Sequence, residues 1–459
     1  MNDRTEIVPP SAFTPGGRHR HRKPKQLGTS ARRALVLAMA LPVASAALAG
    51  PSAFAADGNT TATTPDTAPD TNEGLDPADQ AIAANLNTRV LDARLGGNVS
   101  GVVLDAESDG TVWDHNGATA LMPASNTKLA TATAALTVLG PNHRFKTKVV
   151  YGDGTLTLVG GGDRTLTSAD LADMAKDAVA GLKAAGLTNV KVAVDDSLFP
   201  EPTLATGWND GYYPDSVAPV RALVVDGHGV NDTSIDAGQV FAKQLAADGI
   251  TVDGDVTRRT ADITDVPVSR HKSAKLSDIV HHMIKVSDNN IAETLLRMTA
   301  LRAGQPATFE GGTAVVRDVL SRKYGVSLEN FEIHDGSGLS RANRIPAQTL
   351  AEILDLLTEE RYEYRLSSIR DGLPVAGEAG STLGPEWGRF DDANSKCAVG
   401  KVHAKTGTLT GAIALSGLTQ GKDGRWKVFS FVENGSTANS NAIKDAMDGL
   451  AATVNGCWA

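Results

Sequence analysis

The stretch from Met122 to Gly140 reads M-P-A-S-N-T-K-L-A-T-A-T-A-A-L-T-V-L-G. Leu129–Leu139 is apolar and stops at Gly140-Pro141, which predicts a buried helix opened by Ser125 and Lys128. Three residues apart at a helix start, those two side chains share one face. The lysine amine can then reach the serine hydroxyl. Serine is a weak nucleophile until a base takes its proton. Lysine serves as that base only when burial or a nearby cation lowers its pKa. The helix start also presents the Ser125 backbone N–H as a candidate oxyanion donor.

Two further strings, each occurring once, suit the same chemistry. In Ser287-Asp288-Asn289 a non-helical turn lets Ser287 and Asn289 face one cleft while Asp288 points away. The alternative is an ordinary helix N-cap, where Ser and Asp are favoured. The hydroxyl can pass a proton toward a leaving amine, and the carboxamide can hold both Lys128 and a substrate carbonyl. Around Lys405-Thr406-Gly407 the residues alternate as a strand requires. A cation beside a hydroxyl can grip a terminal carboxylate. Gly407 lets a substrate backbone lie against the strand, and the Thr408 N–H is the natural second oxyanion donor. Lys405 is also the candidate cation for lowering the Lys128 pKa. A Ser-x-x-Lys pair alone carries little: Ser269 and Lys272 repeat it in a charged stretch that opens no apolar helix.

The chain of 459 residues is 41% apolar and 21% charged, enough for one large core or two moderate ones. Aromatics, at 5%, are too sparse for a surface that stacks single-stranded nucleic acid. Of the net charge of −9, residues 1–55 contribute +6 and the remainder −15. Nucleic acid is therefore not an expected partner. An anionic cell wall would not attract so acidic a protein through its overall field, so a substrate there must be held by a local site. No His-Glu-x-x-His string occurs, and neither metal nor cofactor is expected.

Basic residues cluster from Arg18 to Arg33, an apolar stretch runs from Ala34 to Gly50, and Ala53-Phe54-Ala55 offers a cleavage site. Residues 1–55 are expected to be a signal peptide, leaving a secreted, cell-wall-associated protein with no stable membrane anchor. An anchor is the alternative, but the stretch is short, Ala-rich and broken by Pro42. Arg32-Arg33 loosely resembles a twin-arginine signal. Residues 56–77, rich in Thr, Pro and Asp, read as a disordered spacer.

Residues 78–146 and 270–459 hold the three strings and form the expected core. They close with strands at Lys401–Thr408, Ala412–Thr419 and Trp426–Glu433 and a helix near 441–454. Residues 147–269 alternate strand and helix, which predicts one inserted α/β lobe. Its strands are expected at Val149–Val159, Val190–Val194, Arg221–Val225 and Ile250–Val256, its helices at Ser168–Ala185 and Ala237–Asp248. Cys397 and Cys457 are the only cysteines and are expected to pair outside the cytoplasm. Two buried free thiols are the alternative.

Further strings accompany the three: Leu158-Val159-Gly160-Gly161-Gly162-Asp163, Gly207-Trp208-Asn209-Asp210, Ala218-Pro219-Val220-Arg221-Ala222-Leu223, Asp335-Gly336-Ser337-Gly338-Leu339-Ser340 and Leu373-Pro374-Val375-Ala376-Gly377. With them, the chain from about residue 80 onward resembles the low-molecular-mass class C penicillin-binding proteins, a family of D-alanyl-D-alanine carboxypeptidase/endopeptidases. The resemblance implies an α+β fold with a penicillin-binding-protein/serine β-lactamase-like core, in which an antiparallel sheet packs on a helical cluster. It implies Ser125 as the acylated nucleophile, Lys128 as its base, and Ser287 and Asn289 as the relay. Lys405 and Thr406 would bind the substrate carboxylate, and the Ser125 and Thr408 N–H groups would hold the oxyanion. The family usually nests two extra domains between the first two strings. Here Val230-Asn231-Asp232-Thr233-Ser234 runs almost directly into a helix, so one lobe is expected. Trp208 and Asp210 are candidates for a pocket that takes the substrate's amino-bearing side chain; packing of the lobe against the core is the alternative.

The expected activity is that of a serine DD-peptidase that removes terminal D-Ala from peptidoglycan stem peptides, with β-lactams as covalent inhibitors. A serine β-lactamase and a non-catalytic penicillin-binding wall protein are the rivals. The large insert does not fit the former, and no glutamate can be assigned its deacylation.

Overall fold

The computed structural model describes residues 75–458. The expected signal peptide and most of the expected spacer lie outside the described residues. Asp76 caps the first helix, α1 (Pro77–Arg89), by accepting from the Ala78 and Asp79 N–H groups, with Pro77 in its first turn. A hairpin of β1 (Val99–Asp105) and β2 (Gly110–His115) follows, then β3 (Ala120–Leu121) and α2 (Thr127–Leu139). The next section holds β4 (Lys146–Gly152), β5 (Thr155–Val159), α3 (Ser168–Ala184), β6 (Asn189–Asp195), α4 (Thr233–Ala247), β7 (Thr251–Val252), β8 (Thr257–Arg258) and β9 (Val266–Lys272). Helices α5 (Leu276–Val286), α6 (Asn289–Arg302) and α7 (Phe309–Asp318) lead to β10 (Ile345–Pro346), α8 (Ala347–Asp355) and α9 (Glu360–Gly372). Strands β11 (His403–Leu409), β12 (Ala412–Gln420) and β13 (Trp426–Asn434) and helix α10 (Ser440–Val454) end the chain.

The central sheet is antiparallel, in the order β11-β12-β13-β1-β2. Alternation along each strand splits its side chains between two cores. Val102, Ala414, Val428 and Val432 face α2 and the helices α5 to α9, while Val103, Ile413, Phe429 and Phe431 face α1 and α10. The α+β architecture expected from the resemblance is the one observed. Among the described residues no helix is long and apolar enough to cross a membrane.

A second sheet, in the order β7-β6-β5-β4-β9 with β8 also on β6, has its own apolar layer beneath α3 and α4. Three expected strands differ there. Val149–Val159 is not one strand: it turns at Asp153-Gly154, both with positive φ, into the antiparallel hairpin of β4 and β5. Arg221–Val225 contributes only a bridge between Leu223 and Asp163. Its buried carbonyls are met instead by the Gly162 N–H and the Thr233 hydroxyl. Of the run from Ile250 to Val256 only β7 is strand; Gly254, with φ +73°, breaks the extended backbone, and β8 begins just past the run at Thr257. Helix α9 has no counterpart in the sequence reading: only Leu366, Ile369 and Gly372 are buried, too thin a stripe to announce a helix. Cys397 and Cys457 form a disulfide that ties the tail to the segment before β11.

Candidate active site

The turn that carries Ser125 is held under strain. Ala124 is fully buried with φ +47°, a left-handed backbone that costs a non-glycine residue on the order of 1–3 kcal/mol. Two glycines make room for it. A Cβ on Gly407 would sit 2.6 Å from the Pro123 carbonyl oxygen, and one on Gly338 would overlap the Ala124 carbonyl oxygen. Gly407 therefore packs β11 onto the serine turn. This corrects the expectation that it opens the strand to a substrate backbone. The short turn Ala124–Asn126 runs directly into α2, leaving Ser125 half-buried at the cleft.

Lys128, one turn on, has no exposure. Its Nζ donates to Ser125 Oγ at 3.0 Å, to Asn289 Oδ1 at 2.7 Å and to the Ser337 carbonyl at 2.7 Å. Burial pushes this ammonium down to about 8, against the opposing pull of the Asp335, Asp288 and Glu293 carboxylates. Lys405 is equally buried; its Nζ donates to Ser287 Oγ and to the Thr406 carbonyl, each at 2.8 Å. Burial and the Lys128 charge hold it well below the usual lysine range. The expectation that Lys405 lowers Lys128 is corrected: burial is the main cause.

Ser287 closes α5 in a left-handed conformation (φ +62°), and Asp288 caps α6 by accepting from the Ile291 N–H. Asn289 is thus the first residue of α6, and its Nδ2 donates to the Ser216 carbonyl at 2.8 Å. The kink between the helices turns Ser287 and Asn289 into one cleft and leaves Asp288 in a capping role. On β11, the Ala404 N–H leaves the sheet for the Pro374 carbonyl. Alternation turns the Thr406 and Thr408 N–H groups to that same outer edge. The Thr406 hydroxyl donates to Thr382 at 2.8 Å.

These groups open onto a cleft of about 270 Å³ lined by Ser125, Ser287, Asn289, Thr406 and Thr408. It is also lined by Thr382, Trp387, Arg389 and Lys444, which the sequence reading did not single out. Arg389 is buried and paired with Asp448, whereas Lys444 is half-buried on the cleft wall. Trp208 and Asp210 are not among the lining residues. The Trp208 indole N–H donates to Asp335 Oδ2 at 2.8 Å, and its ring packs edge-on against Tyr212, Tyr213 and Phe309. A large ring with one polar atom is better buried with a partner than exposed in a pocket. Asp210 lies exposed on the turn Asp210–Tyr212 and is not among the residues that line this cleft.

Further residues hold the site and were missed. With its amide oriented to suit its neighbours, Asn126 donates to the Lys405 and Thr406 carbonyls at 2.9 and 3.3 Å and accepts from Ser416, stitching the serine turn to the central sheet. Buried Glu293 accepts from the Gly336 and Ser337 N–H groups and so places the carbonyl that receives Lys128. Burial and the Asp335 charge push Glu293 up to about 7. Asp335 accepts from the Gly338 and Ser340 N–H groups and from Asn343, shaping the same loop. The string from Asp335 to Ser340 was the available signal; its role was not legible without the contacts.

The family model for D-Ala-D-Ala carboxypeptidase 3 (S13) matches residues 82–231 and 226–454. A carboxypeptidase DacB of Mycolicibacterium smegmatis is 30% identical over 465 residues, spanning 92% of this chain and 95% of its own. A D-alanyl-D-alanine carboxypeptidase of an Actinomadura species is 29% identical, spanning 78% and 81%. Among solved structures, penicillin binding protein 4 (dacB) from Haemophilus influenzae superposes with a TM-score of 0.68 at 23% identity, covering 80% of this chain and 97% of its own. That likeness is one of fold. With matches of this extent, the chain belongs to the D-Ala-D-Ala carboxypeptidase 3 (S13) family.

Proposed function

We propose that this carboxypeptidase removes the terminal D-Ala of peptidoglycan stem peptides through an acyl-enzyme on Ser125. The observation that carries the reading is Lys128 Nζ, held between Ser125 Oγ and Asn289 Oδ1 and buried enough to lose its proton near neutrality. As a free amine it gives its two N–H bonds to Asn289 and Ser337 and turns its lone pair to the Ser125 hydroxyl. Ser125 Oγ attacks the carbonyl carbon of the scissile bond while its proton passes to Lys128. The N–H groups of Ser125 and Thr408 receive the oxyanion. Ser287 passes its hydroxyl proton to the departing amine and takes one in turn from Lys405, whose Nζ already donates to it; in the ester hydrolysis that follows, Lys128 returns its proton to Ser125 Oγ and the attacking water restores the proton of Lys405. The C–N bond breaks, D-Ala leaves, and water cleaves the ester to restore Ser125.

The leaving carboxylate lies against Thr406 and Thr408. Lys405 has no exposure and spends two donors inside the protein, so it supplies field more than contact. β-Lactams present an amide in the same place and would acylate Ser125. Residues 78–146 and 270–459 form the catalytic core and 147–269 an inserted lobe. Residues 1–55 act as a signal peptide that delivers the enzyme to the wall.

Fluorescent penicillin labelling, combined with D-Ala release from a peptide ending in D-Ala-D-Ala, tests the proposal. Ser125→Ala is expected to lose both at unchanged melting temperature. Persistent labelling would remove Ser125 from its role, and rapid nitrocefin turnover by the wild type would favour a β-lactamase.

A further inference from the structure

The open face of the lobe sheet carries charges that the reaction does not use. Helices α3 and α4 cover the other face, where Val149, Leu156, Leu158 and Val192 are buried. Alternation turns Lys146 and Lys148 of β4 away from those helices. The register sets Lys146 directly across from Lys272, and Lys148 across from Arg270. All four are exposed, and none meets a carboxylate among the described residues. Like charges directly opposite weaken a sheet, so two such pairs on neighbouring rows do nothing for the fold.

Two concavities flank the four cations. One of about 400 Å³ is lined by Arg144, Lys146, Lys148 and the backbone of Gly160 and Gly161. The other, about 730 Å³, runs from Lys148 past Val150 and Val159 to Arg270. Carboxylates line these concavities too, Asp195 the smaller and Asp177, Asp262 and Asp265 the larger, and of these only Asp265 is paired with a cation. Asp195 accepts from Ser197 and the Ala261 N–H, Asp265 pairs with Arg259, Asp177 accepts from Ser269 and Asp262 from Thr264.

We propose that this face docks a carboxylate-bearing peptidoglycan strand and so holds an acidic enzyme on its acidic, insoluble substrate. The inference rests on the peptidoglycan reading above. Overall repulsion is screened beyond about 8 Å at physiological salt, so a local row of cations decides the contact. A row suits repeated carboxylates along a polymer; a single small anion needs converging donors, which an open sheet face does not offer.

The test is co-sedimentation of the protein with purified sacculi stripped of phosphodiester polymers, at low salt and at 0.5 M NaCl (about a 4 Å screening length). Wild type and Ser125→Ala are expected to sediment alike at low salt and to be released by high salt. The variant K146Q/K148Q/R270Q/K272Q is expected to lose about tenfold in binding and to release correspondingly less D-Ala from sacculi. Its activity on a soluble D-Ala-D-Ala peptide and its penicillin labelling stay at wild-type level, and its melting temperature holds or rises. The arginine-retaining variant K146R/K148R/K272R is expected to bind as wild type does. Sedimentation of the glutamine variant like wild type, release that ignores salt, or retention only by walls that still carry phosphodiester polymers would overturn the proposal. Loss of penicillin labelling by Ser125→Ala tests the catalytic reading separately.

Discussion

At the scale of single residues, Lys128 sets the pH response. Its free-base fraction grows as pH rises toward about 8 and levels off above. Acylation by penicillin is therefore expected to accelerate about tenfold per pH unit well below that point and to flatten beyond it. Stopped-flow or gel-based labelling rates measure this; a flat profile between pH 6 and 9 would remove Lys128 as the base. Lys444 belongs to the same scale. It lines the same cleft as Thr406 and Thr382, with Arg389 already committed to Asp448. A charge-assisted contact to the substrate carboxylate is worth about 1.5–3 kcal/mol. Lys444→Met is expected to raise KM for a D-Ala-D-Ala peptide by about tenfold or more at similar kcat. The effect should vanish for the same peptide with an amidated C-terminus, and equal losses on acid and amide would assign Lys444 a structural role.

At the scale of elements, α1 is clamped to the central sheet by buried charge. Lys427 of β13 has no exposure and meets Asp79 of α1, Asp105 of β1 and Asp423. The three carboxylates overcome the penalty of burial and raise Lys427 above its usual range. Arg425 also pairs with Asp79, Asp105 and Asp423 and stays when Lys427 is removed, so Lys427→Ala is expected to cost about 1.5–3 kcal/mol in urea unfolding. A loss below about 1 kcal/mol would show the cluster to be solvated instead. The elements themselves were unevenly legible. An apolar run stopped by Gly140-Pro141 marked α2, helical spacing marked α3 and strand-like runs marked the last three strands, whereas α9 depended on its neighbours.

At the scale of the whole molecule, the Cys397–Cys457 disulfide joins two segments separated by 60 positions and anchors the tail that follows α10. Closing a loop of that size stabilises by about 4 kcal/mol in the chain-entropy model. Cys457→Ser is expected to lower unfolding stability by about that amount, seen as a lowered urea midpoint with a steeper slope as the uncrosslinked denatured chain exposes more surface. An unchanged midpoint would show that the helical packing of α10 alone secures the tail.

The sequence by itself determined which residues could do chemistry, because that information is local. A three-residue spacing at a helix start, an alternating strand and a turn between two helical patterns are each set by neighbours along the chain. It also determined the disposition of charge, an acidic body needing a local hold on any acidic partner. Only the tertiary structure decided how those residues meet. Lys128 and Asn289 are 161 positions apart and Lys405 and Ser287 118 apart, so their geometry is set by packing that no local pattern encodes. The same packing sent Trp208 into the core, gave Gly407 to the serine turn, and recruited Asn126, Glu293 and Lys444. Burial, a property of the whole fold, is what brings an ordinary lysine to the pKa that a base requires.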